Sequence, residues 1–261
     1  MNMLELNHLW AKTPYFLKLV LLLLLTVRGY SQDINLDINK NPSQYVLRSW
    51  STEQGLASES TNEILQSDDG YIWIATYAGL HRFDGKDFTI FNSSNSNIPS
   101  PTVLRVEKNS DGHIWIGSQH GVAGYKSGEF VIPEALKQTL DMSIEQMLIT
   151  QNGDLWFSTR TNNLFRYRNE ELRDFTKEFN VKESTVLAMI ESDDGTIFFG
   201  TDDSKIISFS PKDEISELPL KTNVNGVNTF YSFKEHIYIG TGRGLYRWDG
   251  LNITKYQALS E

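Results

Sequence analysis

A pattern of nine residues recurs five times along this chain and limits its possible folds more than any other feature. Each copy holds an apolar segment with an aromatic residue at a fixed position, followed by a small residue and then Thr or Ser. The aromatic positions lie 42, 41, 42 and 40 residues apart, at Trp73, Trp115, Trp156, Phe198 and Tyr238. A fixed period of this length indicates a repeat architecture in which each copy forms one supersecondary unit.

Each repeat divides into four short strands. An Asp-Gly or Asn-Gly turn precedes the aromatic strand in the first four copies, as at Asp69-Gly70, and such turns favour β-hairpins. Four antiparallel strands in each repeat predict an all-β fold, a β-propeller of four-stranded antiparallel blades with five blades present. The blades are predicted over residues 61–91, 103–133, 144–175, 186–218 and 227–257.

The repeats differ in their turns. Repeats three and four have one extra residue between their second and third strands, and Asn163 is expected to take the left-handed backbone conformation there. The fifth repeat has Glu235 where the others have glycine, so its first turn is expected to be of a different type.

The N-terminus has the features of an export signal. Lys12 and Lys18 precede an apolar run, 19–25, that is too short to cross a bilayer. Small residues at 29 and 31 then form the pattern that signal peptidase cleaves. The sequence therefore predicts a signal peptide over 1–31, and the alternative is an uncleaved anchor.

The rest of the chain divides into a leader and a folded part. Residues 32–44 are rich in Asp and Asn and are expected to be a flexible leader, while residues 45–261 form the partial propeller. No later segment is apolar enough to span a membrane. We therefore expect a periplasmic protein with no membrane span after signal cleavage.

Composition excludes several classes of function. The formal charge is -9 and there is no cysteine, so thiolate metal sites, iron–sulfur clusters and cysteine nucleophiles are excluded. The chain lacks the basic patch that nucleic-acid binding requires, so nucleic acid is not an expected partner. No motif calls for a cofactor or a metal.

These repeats resemble the two-component regulator propeller repeat. The likeness lies in the glycine turn, the Trp strand with its small and hydroxyl residues, and the Gly-Leu that follows, as in Gly70–Leu80, and it covers about Tyr45 to Gln257. That repeat builds the periplasmic sensor domains of hybrid histidine kinases and related regulators in Bacteroidetes. The resemblance implies a non-enzymatic sensor of polysaccharide breakdown products, acting through a downstream signalling module.

Strand counting suggests an incomplete ring. Residues 45–50 are expected to form a leading outer strand, yet the fifth repeat already owns an outer strand at 252–257. The resemblance implies a ring that usually has seven blades. We therefore expect five blades of an incomplete seven-bladed ring, whose exposed flank would dock further blades. The alternative is a closed ring of five blades with an extra edge strand.

The residues after each second strand are the predicted ligand site, because the side chains of the strands themselves pack against neighbouring blades. Their mixture of aromatic, cationic and anionic groups suits a small polar ligand such as an oligosaccharide. The alternative is that these are unrelated exposed turns. The predicted ligand-binding residues are Tyr77, Gln119, His120, Arg160, Asp202 and Arg243.

Two other functions stay open at this point. Similar Trp-bearing repeats occur in streptogramin lyases, whose propellers use a metal and a catalytic histidine near the mouth, and His120 is the candidate on the corresponding turn. The third possibility is an interaction scaffold that uses the propeller rim. The three tryptophans are expected to pack between blades rather than to form a binding platform.

Overall fold

The computed structural model describes residues 40–45, 48–218, 220 and 223–256. The predicted signal peptide and most of the predicted leader lie outside these residues. The chain separates into two compact units, of which the first ends at Arg48 and the second starts at Ser49. The described part of the first unit contains a short 3-10 helix, Pro42–Gln44.

The second unit is all-β, which confirms the predicted fold class. It holds five four-stranded antiparallel sheets, each with its strands in chain order. The first sheet comprises β1 Thr61–Gln66, β2 Ile72–Thr76, β3 Gly79–Phe83 and β4 Phe88–Phe91, and the second comprises β5 Val103–Lys108, β6 Ile114–Ser118, β7 Gly121–Lys126 and β8 Glu129–Val131. The third comprises β9 Ile144–Ile149, β10 Leu155–Thr159, β11 Leu164–Arg168 and β12 Glu171–Asp174. The fourth comprises β13 Val186–Glu191, β14 Ile197–Thr201, β15 Ile206–Phe209 and β16 Ile215–Leu218, and the fifth comprises β17 Val227–Phe233, β18 His236–Thr241, β19 Gly244–Trp248 and β20 Ile253–Lys255.

The hairpin turns follow the local sequence. In the first sheet Gly70 has a φ of 89° and its N–H donates to the carbonyl of Ser67. In the fifth sheet Lys234 takes a φ of 56° in a two-residue turn between β17 and β18. The first turn of the fifth repeat is therefore of a different type, as its sequence predicts.

Neighbouring sheets, called blades from here on, pack through two aromatic series. The second-strand aromatic of each blade meets a third-strand aromatic of the next: Trp73 with Tyr125, Trp115 with Tyr167, Trp156 with Phe209 and Phe198 with Trp248, at centroid distances of 4.7–5.4 Å. The three tryptophans of the repeat are 5% exposed or less. The prediction that they pack between blades is confirmed.

A small residue after each second-strand aromatic permits this close approach. The residues at this position are Ala75, Gly117, Ser158, Gly200 and Gly240. A Cβ on Gly200 would lie 2.8 Å from Val227 Cβ on the next blade's inner strand, inside van der Waals contact. Ser158 instead uses its hydroxyl, which donates to the carbonyl of Val186 on the next blade at 2.7 Å.

Gly200→Ala is expected to lower the free energy of unfolding by about 1–3 kcal/mol, because the added methyl group overpacks the boundary between blades four and five. In a Val227→Ala background the same change is expected to cost about 1 kcal/mol less, since the opposing methyl groups are gone. Urea denaturation of the four proteins in this double-mutant cycle measures the coupling. Strictly additive losses would show that the contact between these two residues does not limit how closely blades four and five approach.

The two terminal blades leave apolar side chains exposed. The inner strands pack from the first blade to the fifth in order, and no contact of similar extent between described residues joins the fifth blade to the first. Ile64 on the first blade is 62% exposed, and Tyr231 and Phe233 on the fifth are 64% and 50% exposed. This open arrangement fits an incomplete propeller.

The expected leading strand over 45–50 is not found in the described part of that range. Tyr45 and residues 48–50 belong to no strand, and residues 46 and 47 lie outside the described residues. The fourth strand of the fifth blade is β20, from the repeat itself, so that sheet already has the four strands of a blade. Trp50 instead contacts Phe83 of the first blade edge to face at 5.1 Å.

Trp50 occupies the position that an aromatic ring of the preceding blade fills in other blades. Phe83 lies opposite Ile72, the register that Tyr125 and Phe209 hold in their own blades, where a preceding blade's aromatic packs against them. After Trp50 the chain turns through a 3-10 helix, Thr52–Gln54, that Ser51 caps. The segment thus supplies a ring to the first blade instead of a strand to the last.

Candidate functional site

The turns between the second and third strands lie at equivalent ends of the five blades. The hydroxyl residue that ends each second strand organises its turn: Thr76 Oγ1 donates to the Gly79 carbonyl at 2.9 Å and accepts from the Ala78 N–H at 3.1 Å. The same pair of bonds recurs around Ser118 and Thr241, whereas Thr201 Oγ1 in its longer turn donates to the Lys205 carbonyl and accepts the Lys205 N–H. The Thr or Ser of the repeat is therefore a turn-forming residue.

The two longer turns use a different left-handed residue from the one predicted. Asn162 has a φ of 63° and Ser204 a φ of 73°, whereas the blades with two-residue turns use glycine, such as Gly79 at 130°. The expectation for Asn163 is wrong by one residue. The reason is that Thr159 Oγ1 accepts the Asn163 N–H at 3.1 Å. This hydrogen bond closes the turn at Asn163, so the left-handed residue is the one before it, Asn162.

Most of these turns are anchored to the segment that precedes the next inner strand. Thr102 Oγ1 donates to the Tyr77 carbonyl at 3.4 Å, and Thr185 Oγ1 donates to Asn162 Oδ1 at 2.5 Å. Ser204 Oγ, which is buried, accepts from the N–H groups of Val224 and Gly226. Bonds between blades therefore fix the turns in place and leave their side chains available.

All six predicted ligand-binding residues lie in these turns and are exposed. They are Tyr77, Gln119, His120, Arg160, Asp202 and Arg243. No hydrogen bond or ion pair among the described residues joins two of them. Arg160 is held by Glu145, and Asp202 accepts from the N–H of Thr185 at 3.0 Å.

A charged cluster on the inner strands extends from this site. Arg160 Nε donates to Glu145 Oε2 at 2.9 Å, and Arg105 Nη2 of the preceding blade lies 3.9 Å from Glu145 Oε1. Arg105 Nε also donates to Gln146 Oε1 at 3.0 Å. The repeat pattern does not single out Arg105, Glu145 or Gln146. The signal for them is their place on the first strand of each repeat, where side chains alternate between the inner side and the blade.

Two glutamates on the inner strands have perturbed ionisation. Burial, reinforced by the nearby Glu63 carboxylate, raises the pKa of Glu107 to about 8, and Arg105 opposes this. Burial also raises the pKa of Glu63, although its Oε2 accepts the Val106 N–H at 2.7 Å. The pair therefore holds a proton near neutral pH, which reduces the negative charge on the inner strands of blades one and two.

The histidines of the described part lie in different settings. His81 is fully buried and its Nε2 accepts the Ala57 N–H at 2.9 Å, and burial lowers its pKa, so it is a neutral structural residue. His113 stacks on Trp115 at 4.4 Å. His120 is exposed on its turn. Within the described residues no three His, Asp or Glu side chains form a group that would hold a metal ion.

Comparisons by sequence give no family. No protein family matches the chain, and no curated protein matches it. Among solved structures, the extracellular domain of a putative hybrid two-component system from B. thetaiotaomicron has a TM-score of 0.67 and 20% identity over 80% of this chain and 30% of that one. The chain thus spans under a third of that relative's length.

Two other solved structures share the fold. Virginiamycin B lyase from Staphylococcus aureus has a TM-score of 0.62 and 18% identity over 77% of this chain and 70% of that one. PorZ, a surface component of the type-IX secretion system of Porphyromonas gingivalis, has a TM-score of 0.54 and 16% identity over 74% of this chain and 33% of that one. At these identities the likeness establishes a propeller-type fold, which sensors and an enzyme share.

In the described part of the chain, no helix has the length and apolar character needed to cross a membrane.

Proposed function

We propose that this chain is an exported ligand-binding module of the sensor type, which binds a small polar ligand without converting it. The ligand binds at the turns between second and third strands, and a signalling module outside this chain responds. The fold shared with extracellular domains of two-component systems supports the sensor role. The apolar run near the N-terminus supports export.

The anchoring of Arg160 is the observation that carries this proposal. Its guanidinium is 59% exposed, yet Glu145 fixes its orientation and the turn that bears it is bonded to the next blade. A binding site needs side chains that are both accessible and held in place by neighbours. Arg160, in the turn between the second and third strands of the third blade, has both properties.

The ligand class follows from the mixture of polar groups. Arg160 and Arg243 donate hydrogen bonds, Asp202 accepts them, and Tyr77 presents an aromatic ring that is 54% exposed. Saccharide hydroxyls both donate and accept, and a sugar ring packs on an aromatic side chain. An oligosaccharide therefore fits this surface better than an apolar ligand does.

Calorimetric titration with cellobiose, maltose and a uronate disaccharide tests this proposal. At least one is expected to give a saturable isotherm that Arg160→Ala weakens about tenfold or more, since a hydrogen bond to a charged group contributes roughly 1.5–3 kcal/mol. The matched control is Arg173→Ala, a similarly exposed arginine on the outer strand of the same blade, where it pairs with Glu178. Absence of heat from every saccharide, or equal loss in both variants, would contradict the proposal.

The fold shared with the lyase suggests an enzymatic function as the alternative, which can be tested on the same protein. If the chain were an enzyme of that kind, it would linearise a streptogramin in the presence of a divalent metal, and His120→Ala would abolish the turnover. We expect no turnover, and the disaccharide that binds is expected to be recovered unchanged. Conversion of either compound would overturn the non-enzymatic assignment.

A further inference from the structure

A cleft of about 440 Å³ lies between the third and fourth blades, at the strand ends opposite the turns between second and third strands. The hairpin turns around Asn152, Asp194 and Asp213 surround it, and Trp156 and Arg166 lie at its base. This volume suits a small molecule. None of the predicted ligand-binding residues lines the cleft.

Two buried N–H groups at the base of the cleft have no hydrogen-bond partner. They are Nε1 of Trp156, whose side chain is 0% exposed, and Nε of Arg166, the cross-strand neighbour of Trp156. The Arg166 guanidinium lies over the Trp156 and Phe175 rings at 5.6 and 5.0 Å and pairs with no carboxylate in the described part of the chain. Leaving such donors unpaired is costly, so the site has an unmet demand for an acceptor.

The first blade shows how the same pair is satisfied elsewhere. Trp73 Nε1 donates to Ser67 Oγ at 3.0 Å. Arg82, the cross-strand neighbour of Trp73, donates from Nη1 to the Tyr125 hydroxyl of the next blade at 3.4 Å. The first blade therefore supplies a protein oxygen atom to the indole N–H and another to the guanidinium group.

Two sequence changes remove these partners from the third blade. Phe209 stands at the register of Tyr125 and has no hydroxyl. Thr150 stands at the position of Ser67 and, like Ser67, donates within its own turn, but its oxygen accepts the Asp154 N–H at 3.1 Å instead of an indole N–H. The donors of Trp156 and Arg166 are consequently left for a group from outside the protein.

Charge at the cleft changes sign from base to rim. Arg168, the other cation, is neutralised by Asp154 at 2.5–2.6 Å, so the unpaired cation is Arg166. The rim carries four carboxylates that form no ion pair within the described residues: Glu191, Asp193, Asp194 and Asp213. A simple anion is repelled by this rim, and a simple cation leaves the base unsatisfied.

We propose that this cleft binds a small zwitterion of the amino acid or dipeptide class. The ligand carboxylate bonds to Arg166 and meets the Trp156 N–H, while the ligand ammonium faces the rim carboxylates. Both unpaired nitrogens are buried, so the Arg166 side chain moves as the carboxylate enters. A guanidinium in a partly buried setting favours a carboxylate over a neutral hydroxyl, which distinguishes this ligand from a saccharide.

Titration with diglycine tests the proposal, and N-acetylglycinamide serves as the uncharged probe of similar size. Diglycine is expected to bind saturably and the blocked compound is not. Arg166→Gln is expected to weaken diglycine binding at least tenfold, and Trp156→Phe about threefold, since phenylalanine keeps the ring and removes only the N–H. Phe198 occupies the same position in the next blade, so phenylalanine fits there.

The first blade offers matched controls. Trp73→Phe and Arg82→Gln change the same pair where protein oxygens already satisfy it, and neither is expected to alter diglycine affinity. The indole ¹⁵N–¹H resonance that disappears in Trp156→Phe is expected to shift on addition of diglycine to the unaltered protein. Arg160→Ala is expected to leave diglycine binding unchanged, so this site and the saccharide site are tested separately.

Three results would overturn the assignment: no saturation with diglycine at millimolar concentration, equal binding of N-acetylglycinamide, or loss of affinity in the first-blade controls as large as in the third-blade variants. If Arg166→Gln fails to fold, Arg166→Lys keeps the charge but lacks the Nε donor, and a loss of affinity is still expected.

Discussion

Replacing Trp156 with alanine is expected to lower the free energy of unfolding by about 3–5 kcal/mol, the largest single effect we predict. The indole is fully buried and contacts Phe175 at 4.8 Å within its own blade, and Phe199 and Phe209 on the next blade at 5.2 and 5.4 Å. Truncation removes this packing and leaves a cavity between two blades, which neighbouring strands fixed by hydrogen bonds cannot close.

Urea denaturation monitored by circular dichroism measures this loss. Trp156→Phe retains a ring and is expected to cost clearly less than the alanine variant. Tyr77→Ala is the surface control, because Tyr77 is 54% exposed, and its effect is expected to stay within about 0.5 kcal/mol. A loss of under 1 kcal/mol for Trp156→Ala would mean that the indole does not join the two blades.

The second large effect is a pH dependence that originates at Glu107. Its pKa is raised to about 8 by burial and by the neighbouring Glu63 carboxylate, whereas a glutamate in the unfolded chain titrates near 4.3. Between these values the folded protein holds a proton that the unfolded chain has lost. The free energy of unfolding therefore falls as pH rises from about 5 to 8, by at most about 1.4 kcal/mol per pH unit for this one proton.

Glu107→Gln tests this origin, since the amide occupies similar space and does not titrate. The difference in unfolding free energy between variant and unaltered protein is expected to favour the variant increasingly as pH rises from 5 to 8. Taking this difference cancels the contribution of the histidines to the pH dependence. Burial lowers the pKa of His81 and His113, so their contribution to the free energy of unfolding rises with pH. Glu129→Gln, an exposed position in the same blade, is the control, and an identical slope in both variants would exclude Glu107.

The sequence predicts the blade architecture because the repeat encodes it locally. The aromatic strands, the glycine turns and the hydroxyl residues each have a short-range physical cause, such as the bonds of Thr76 across its own turn. The second aromatic series was missed, although it follows the first by ten or eleven residues throughout: Phe83, Tyr125, Tyr167, Phe209 and Trp248. Its spacing was visible, but the packing partner of each ring lies in another blade.

Long-range features were harder to predict than local ones. The expected strand over 45–50 is missing from the described part of that range, where Trp50 contacts the ring of Phe83, a residue far along the chain that local β propensity does not reveal. The turns that carry Arg160 and Asp202 were placed by strand counting. Glu145 and Arg105, which orient Arg160, come from the inner strands of two blades, and only the packing of those blades brings them together.

The cleft between the third and fourth blades was not predictable from the repeat. It rests on two departures from the first-blade pattern: Phe209 stands in place of a tyrosine, and the Thr150 hydroxyl accepts the Asp154 N–H where the Ser67 hydroxyl accepts the indole N–H. The consequence, two unpaired N–H groups, appears only when the hydrogen bonds of equivalent blades are compared.

Amide hydrogen exchange tests most directly whether ligand recognition resides in the turns between second and third strands. With the disaccharide that gives the largest heat, we predict added protection at residues 77–78, 119–120, 160–163, 202–205 and 242–243, and little change in the strands that bear these turns. Protection confined to the hairpins at the opposite strand ends, or absent from every turn, would contradict the proposed site.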